Sequence, residues 1–273
     1  MAAERRVTLK SEAQIERMAV AGRLVADVLD RMAAELRPGV TTGQLDAMAE
    51  EMIRGAGAIP SFIGVPGRLA PFRHSLCVSV DDEIVHGVPG GRRLRDGQIV
   101  SIDAGAIVDG WHGDAARTFI VGEVPEQTRQ LVETTERALN AGIQAARPGA
   151  HLADISGAIE DVARAAGFGI VRAFVGHGIG TEMHEEPQVT NYRTGSRGRL
   201  IEPGLCVAIE PMFTIGSHEV RILDDGWTVV TADGSLSAHW EQTIAVTAGG
   251  PRILTVSGST AGSAPAAEAL PAR

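Results

Sequence analysis

Five side chains in this sequence are of the types and in the surroundings that hold divalent cations: Asp103, Asp114, His177, Glu210 and Glu241. The first two lie in the run from Ser101 to Asp114. There Asp109-Gly110 stands between two apolar stretches, a two-residue hairpin signal, because a type I′ turn needs a positive φ that Asp and Gly tolerate. In that register Val108 faces Trp111 and Gly105 faces Asp114. Asp103, two residues from Gly105, projects from the same face, so the two carboxylates become diagonal cross-strand neighbours with Cβ atoms roughly 7–8 Å apart. Two ionised carboxylates converging on one small volume repel unless a proton or a metal ion sits between them. The spacing suits a pair of metals about 3.5–4 Å apart; the competing reading is a solvated hairpin with two surface acids.

Glu210 in Ile209-Glu210-Pro211-Met212 and Glu241 in Trp240-Glu241-Gln242-Thr243-Ile244 each adjoin a β-type apolar run, where a lone buried acid is costly without a cation. With His177 in Gly176-His177-Gly178-Ile179-Gly180, the set is four carboxylates and one imidazole, which suits two divalent ions such as Mn²⁺, Fe²⁺, Co²⁺ or Zn²⁺. Other motifs fail on inspection. The alternating glycines around His177 are not a dinucleotide fingerprint. His184-Glu185-Glu186-Pro187 starts like a zincin helix but lacks the second histidine, and Pro187 would break that helix. No Gly-x-Ser-x-Gly elbow is present, and neither cysteine sits in a nucleophile motif.

The elements that position these residues repeat once along the chain. Arg37-Pro38-Gly39 recurs as Arg147-Pro148-Gly149, and Glu50, Arg54, Ala56 and Gly57 match Glu160, Arg164, Ala166 and Gly167 at the same offset. Each copy reads as a helix, a Pro-Gly turn and a second helix. In the first, Thr41 or Thr42 is the N-cap, Leu45, Met48, Met52 and Ile53 form the apolar stripe and Gly57 is the stop; Ile155, Ile159 and Val162 form the second stripe. Asp96-Gly97 before the strand ending in Asp103 corresponds to Pro203-Gly204 before the strand ending in Glu210. The expected architecture is therefore an α+β fold of two pseudo-symmetric halves around a cleft, one domain over 1–256, followed by an Ala/Gly/Ser/Pro-rich disordered tail over 257–273.

At 273 residues and 44% apolar composition the chain can form a sizeable core. A net charge of −9 argues against a nucleic-acid binder, so Arg92-Arg93-Leu94-Arg95 reads as solvated loop charge. Lys10 stands alone against 24 arginines and reads as compositional bias. No signal-like start appears between Met1 and Val40, and no apolar run approaches the roughly 18–20 residues of a membrane span. A cytoplasmic address is the default expectation. Cys77 and Cys206 lie in separate apolar runs and read as reduced core residues. His74, His112, His151, His218 and His239 read as surface or packing residues.

The five ligand-type residues, with His86 in Val85-His86-Gly87-Val88-Pro89 and His184 in Met183-His184-Glu185-Glu186-Pro187, resemble the signature of the type I methionine aminopeptidases over roughly Ser11 to Thr255. The resemblance implies the pita-bread fold, with a central antiparallel sheet. It implies two divalent ions (Co, Mn, Fe or Zn), Asp103 on one, His177 and Glu210 on the other, and Asp114 and Glu241 bridging both. It makes Glu210 the residue that relays the water proton and places His86 and His184 at the scissile amide. The implied activity is removal of the N-terminal methionine from nascent polypeptides, met at the ribosome, with a small second residue preferred, by a monomer. Aminopeptidase P and prolidase share the ligand set but carry a long N-terminal domain before it, and type II enzymes carry a long insertion between His184 and Glu210. A metal-free binding module is the rival of another class.

One segment departs from that family. Phe62 to Leu76 is longer than its usual counterpart, and Val65 stands where a tyrosine is expected. In the family this stretch lines the methionine pocket together with positions matching Cys77 and Trp227. Phe62 and Phe72 are expected to close the pocket from the longer loop, with leucine or norleucine accepted better than usual.

Overall fold

The computed structural model describes residues 7–258. The helix–turn–helix unit occurs twice, as α1 (Glu12–Glu35) with α2 (Thr42–Gly55) and α3 (Glu126–Ala145) with α4 (Leu152–Ala166). α1 starts at a capping box in which Ser11 and Gln14 satisfy each other's backbone N–H groups. Of the two candidate caps for α2, Thr41 is the one used, paired with Gln44; Thr42 is buried and donates its hydroxyl to the Gly90 carbonyl. α2 ends at Gly55, two residues before the expected stop, and Gly57 follows in the left-handed region at φ 74°. Leu45, Ile53, Ile155 and Ile159 are fully buried, while Met48, Met52 and Val162 pack at the rims of the two cores.

The Asp109-Gly110 turn forms as its residue types require, with φ of 49° and 81°. It joins strands Gln98–Val108 and Trp111–Val121, with Val108 opposite Trp111 and Gly105 opposite Asp114. Strand Leu76–Val80 pairs along the other edge of Gln98–Val108 and puts Cys77 opposite Asp103. In the second half, a five-stranded antiparallel sheet runs in the spatial order Gly250–Ile253, Gln242–Thr247, Cys206–Ile209, Gly176–Gly178, Glu185–Val189. Hydrogen bonds along a seam stitch the two sheets together. Glu241 N–H donates to the Ala116 carbonyl at 2.8 Å and Ala116 N–H to the Glu241 carbonyl at 3.3 Å. The Thr243 hydroxyl completes the seam, accepting from Asp114 N–H at 3.2 Å and donating to the Asp114 carbonyl at 2.8 Å.

α1 packs on the hairpin through glycine. A Cβ on Gly113 would lie 2.6 Å from the Gly22 nitrogen, and one on Gly22 would lie 2.4 Å from the Leu254 carbonyl oxygen. These contacts are backbone on backbone, so no side chain can swing away. Gly113→Ala is therefore expected to cost about 1–3 kcal/mol, as overpacking does, and to lower the thermal midpoint by on the order of 5 °C. An unchanged midpoint in differential scanning calorimetry would show that α1 can slide off the hairpin freely.

One expectation is corrected. Lys10 is no accident of composition: it is buried, with its ammonium on Glu185. The arginines of the run Arg92-Arg93-Leu94-Arg95 are exposed in a loop, as expected, with Arg92 paired to Glu83 at 2.6 Å. Of the expected tail, Ser257 is buried, and residues 259–273 lie outside the described residues. Among the described residues no helix is long and apolar enough to cross a membrane.

Candidate metal centre and adjoining pocket

Asp103 and Asp114 project from the hairpin, Glu241 from the seam between the sheets, Glu210 from the end of strand Cys206–Ile209, and His177 from the middle of Gly176–Gly178. Ligand atoms of Asp114, His177 and Glu241 all lie within 4.8 Å of one another. His177 Nε2 is 3.6 Å from Glu210 Oε1 and 3.9 Å from Asp114 Oδ2. Its other nitrogen, Nδ1, donates to the Gly178 carbonyl at 2.9 Å, the arrangement that leaves Nε2 with a free lone pair for a metal. Burial, then the neighbouring His184, brings the His177 pKa down to about 4, so the imidazole is neutral at pH 7.

The carboxyls behave in the opposite sense. Burial, then mutual repulsion, pushes Asp103, Asp114, Glu210 and Glu241 well above the usual carboxylate range. Asp103 Oδ1, Asp114 Oδ1 and Glu241 Oε1 are buried without a hydrogen-bond partner. Orphaned acceptors are expensive, and no Lys or Arg side chain lines this cleft among the described residues. Convergent acceptor oxygens plus one neutral imidazole fit divalent cations of hard to borderline character. The solvated-hairpin reading fails, because Asp114 is 3% exposed.

All eleven residues singled out from the sequence line one cleft of about 520 Å³, with Val65 and Met183 added. Its apolar end is built by Phe62, Val65, Phe72, Cys77, Met183 and Trp227. The Phe72 and Trp227 rings meet edge to face at 4.9 Å, and the Trp227 indole N–H donates to the Ala70 carbonyl at 3.1 Å. The longer loop is fastened to itself, Gly64 N–H donating to Phe72 O at 2.8 Å and Phe72 N–H to Val65 O at 2.9 Å. Gly105 lets Phe62 in, since a Cβ there would lie 3.0 Å from the Phe62 ring. Burial, then the nearby Asp103, pushes the Cys77 thiol far up, which makes it an inert wall rather than a nucleophile.

His86 and His184 both line the cleft. His86 adopts φ 60°, a left-handed backbone uncommon for a residue with a Cβ. Strain of this kind clusters at functional sites. The next residue must be glycine, because a Cβ at Gly87 would lie 2.3 Å from the Val78 carbonyl oxygen. Burial lowers the His86 pKa to about 4 and lowers that of His184 as well. The His184 ring lies edge-on to His177 at 4.5 Å between centroids.

Two contributors escaped the sequence reading. His239 is a packing residue as expected, but its Nε2 is 3.8 Å from Glu210 and 3.9 Å from Glu241 and has no hydrogen-bond partner. The fully buried Asn191 donates its side-chain amide to the Glu210 carbonyl at 3.0 Å. His112 packs against Ser61, Nδ1 to Oγ at 3.0 Å, and His74 against Asp46 at 2.7 Å.

Comparison with known proteins agrees with this geometry. Residues 16–248 match the sequence profile of metallopeptidase family M24. A methionine aminopeptidase of Clostridium perfringens (strain 13 / Type A) is 48% identical over 250 residues, covering 92% of this chain and 99% of the relative. The crystal structure of the methionine aminopeptidase from Rickettsia prowazekii superposes with a TM-score of 0.88 at 36% identity, covering 92% of this chain and 100% of that one. The prolidase of Pyrococcus horikoshii OT3 shares the fold at a TM-score of 0.73 and 22% identity, and the match covers 91% of this chain but 63% of that one. The chain belongs to metallopeptidase family M24, with the pita-bread fold of that family and with methionine aminopeptidases as its relatives.

Proposed function

We propose that this protein is a dinuclear aminopeptidase that removes an N-terminal methionine from polypeptides, preferring a small second residue. The observation that carries the reading is an apolar, aromatic-walled pocket directly beside the orphaned carboxylate cluster. A thioether fits such walls, since sulfur packs favourably at aromatic edges. Asp103, Asp114, His177, Glu210 and Glu241 would hold the metals, with Asp114 and Glu241 serving both. When bound, two divalent ions (Co, Mn, Fe or Zn) supply Lewis acidity at the scissile carbonyl and lower the pKa of the attacking water.

The protein groups do the rest. Glu210, whose side chain is more exposed than those of Asp114 and Glu241, takes the proton from the water and returns it to the departing amine. His184 and His86, both neutral, hydrogen-bond the scissile amide and the charge that develops on it. Phe62, Phe72, Cys77 and Trp227 seat the methionine side chain. The reading extends to a monomer that acts on nascent chains leaving the ribosome in the cytoplasm. One catalytic domain over 1–256 accounts for all of these residues.

Competing Met-Ala-Ser and Leu-Ala-Ser peptides in one reaction with added divalent metal tests the reading. Methionine is expected to win, but by only about 10–200-fold, the discrimination that one methylene-sized contact supplies. A preference above about a thousandfold, beyond what one methylene-sized contact supplies, would show that the pocket is tight and the loop difference neutral. Cleavage of Ala-Pro peptides but not Met-Ala peptides would overturn the methionine assignment, and purified protein that takes up no metal would overturn the metal reading.

A further inference from the structure

We propose that Lys10 and Glu185 form a clamp that positions His184, so that the segment before α1 acts in catalysis without touching substrate. The inference rests on the role given to His184 above. Lys10 is the only lysine of the chain and is 7% exposed. Its ammonium donates to Glu185 Oε2 at 2.5 Å and to the Thr8 hydroxyl at 2.7 Å, and the Thr8 hydroxyl donates to the same Glu185 oxygen at 2.8 Å. The other carboxylate oxygen, Oε1, accepts from the backbone N–H groups of Thr181 at 3.0 Å and Glu182 at 3.4 Å. Glu185 is thus the centre around which the turn from Gly180 to His184 closes.

That turn carries Met183 and His184 into the cleft. Its far end is tied to the metal-bearing hairpin, where His112 N–H donates to the Gly180 carbonyl at 2.9 Å. The Lys10 end is tied through its own N–H to the Gly204 carbonyl at 2.7 Å. No hydrogen bond holds the His184 ring among the described residues, so its place depends on this backbone. Glycine at 180 leaves room for the pair, since a Cβ there would lie 2.6 Å from Lys10 Cε and 2.4 Å from Glu185 Oε1. A buried ion pair is weak evidence for stability, and its hydrogen bonds here go to the turn that bears His184.

Steady-state kinetics on Met-Ala-Ser peptide, with metal content and thermal midpoint recorded, tests this in a cycle of wild type, Lys10→Met, His184→Ala and the double variant. Lys10→Met is expected to lower kcat about tenfold with KM within about twofold and metal content unchanged, the signature of an interaction made in the transition state. In the His184→Ala background the same substitution should change kcat by less than about twofold, because residues acting as one unit are not additive. A loss below about threefold in wild type, or above about twofold in the His184→Ala background, overturns the clamp. If His184→Ala itself keeps full kcat, the catalytic reading of His184 fails first. Should Lys10→Met not fold, Thr8→Val removes one donor to the same carboxylate and is expected to show a smaller loss, about threefold, that likewise disappears in the His184→Ala background.

Discussion

Asp114→Ala is expected to lower kcat/KM by at least about a hundredfold and to reduce bound metal, while leaving the protein folded. The loss follows from position: the carboxylate lies within 4.8 Å of ligand atoms on both His177 and Glu241. Groups that merely orient a ligand already cost about 10–100-fold when removed, and a shared ligand should cost no less. The fold should survive for two reasons. The Asp114 backbone, not its side chain, joins the two sheets through Thr243. The side chain itself is a buried acid whose oxygen Oδ1 has no partner and whose pKa burial drives up, so its removal relieves a desolvation cost in the metal-free protein. The thermal midpoint of metal-free Asp114→Ala should equal or exceed that of the metal-free parent. A variant that keeps more than a tenth of wild-type turnover at saturating metal would remove Asp114 from the centre.

The hairpin that carries Asp114 was legible because its signals are local. Asp109-Gly110 sets the turn, the turn sets the register, and period two then assigns every side chain to a face. The two helix pairs were legible for the same reason, through caps and stripes a few residues apart. What the chain could not announce depends on contacts between distant segments. The meeting of Ala116 with Glu241 brings together strands more than a hundred residues apart, and no periodicity encodes it. Asn191 beneath Glu210 and His239 beside it are of the same kind. Lys10 shows the limit most plainly: a single residue carries no pattern, and its partner Glu185 lies 175 positions away. His86 offered a weaker clue in the glycine that follows it. The aromatic loop was legible only as a departure from a family, and its closure on Trp227 rests on packing that composition cannot specify.

Loading the protein with metal at pH 6 should release protons, and those protons should come from carboxyl groups rather than from histidine. His177 is held neutral down to about pH 4, so it has no proton to give at pH 6, whereas the four carboxyls titrate well above their ordinary range. The same shifts fix the stability of the metal-free form. A carboxyl whose pKa is raised by folding contributes stability that is present below its unfolded pKa near 4 and lost as pH rises through the folded value. The buried histidines His86, His177 and His239, lowered to between about 3 and 4, act in the opposite sense, losing stability as pH falls below about 6.5. Above pH 4 the two sets oppose each other, the histidines strengthening the metal-free protein up to about 6.5 and the carboxyls weakening it as pH rises through their raised range. Metal reverses this, because binding needs the deprotonated ligands and tightens as pH rises. At a thousandfold excess over Kd, metal adds about 4 kcal/mol, on the order of 10 °C for a chain of this size, and that gain should grow from pH 6 to pH 8. Titration calorimetry in buffers of different ionisation enthalpy counts the protons directly. No proton release, together with a midpoint gain that is flat in pH, would mean that the carboxylates are already ionised without a cation and that burial does not set their charge.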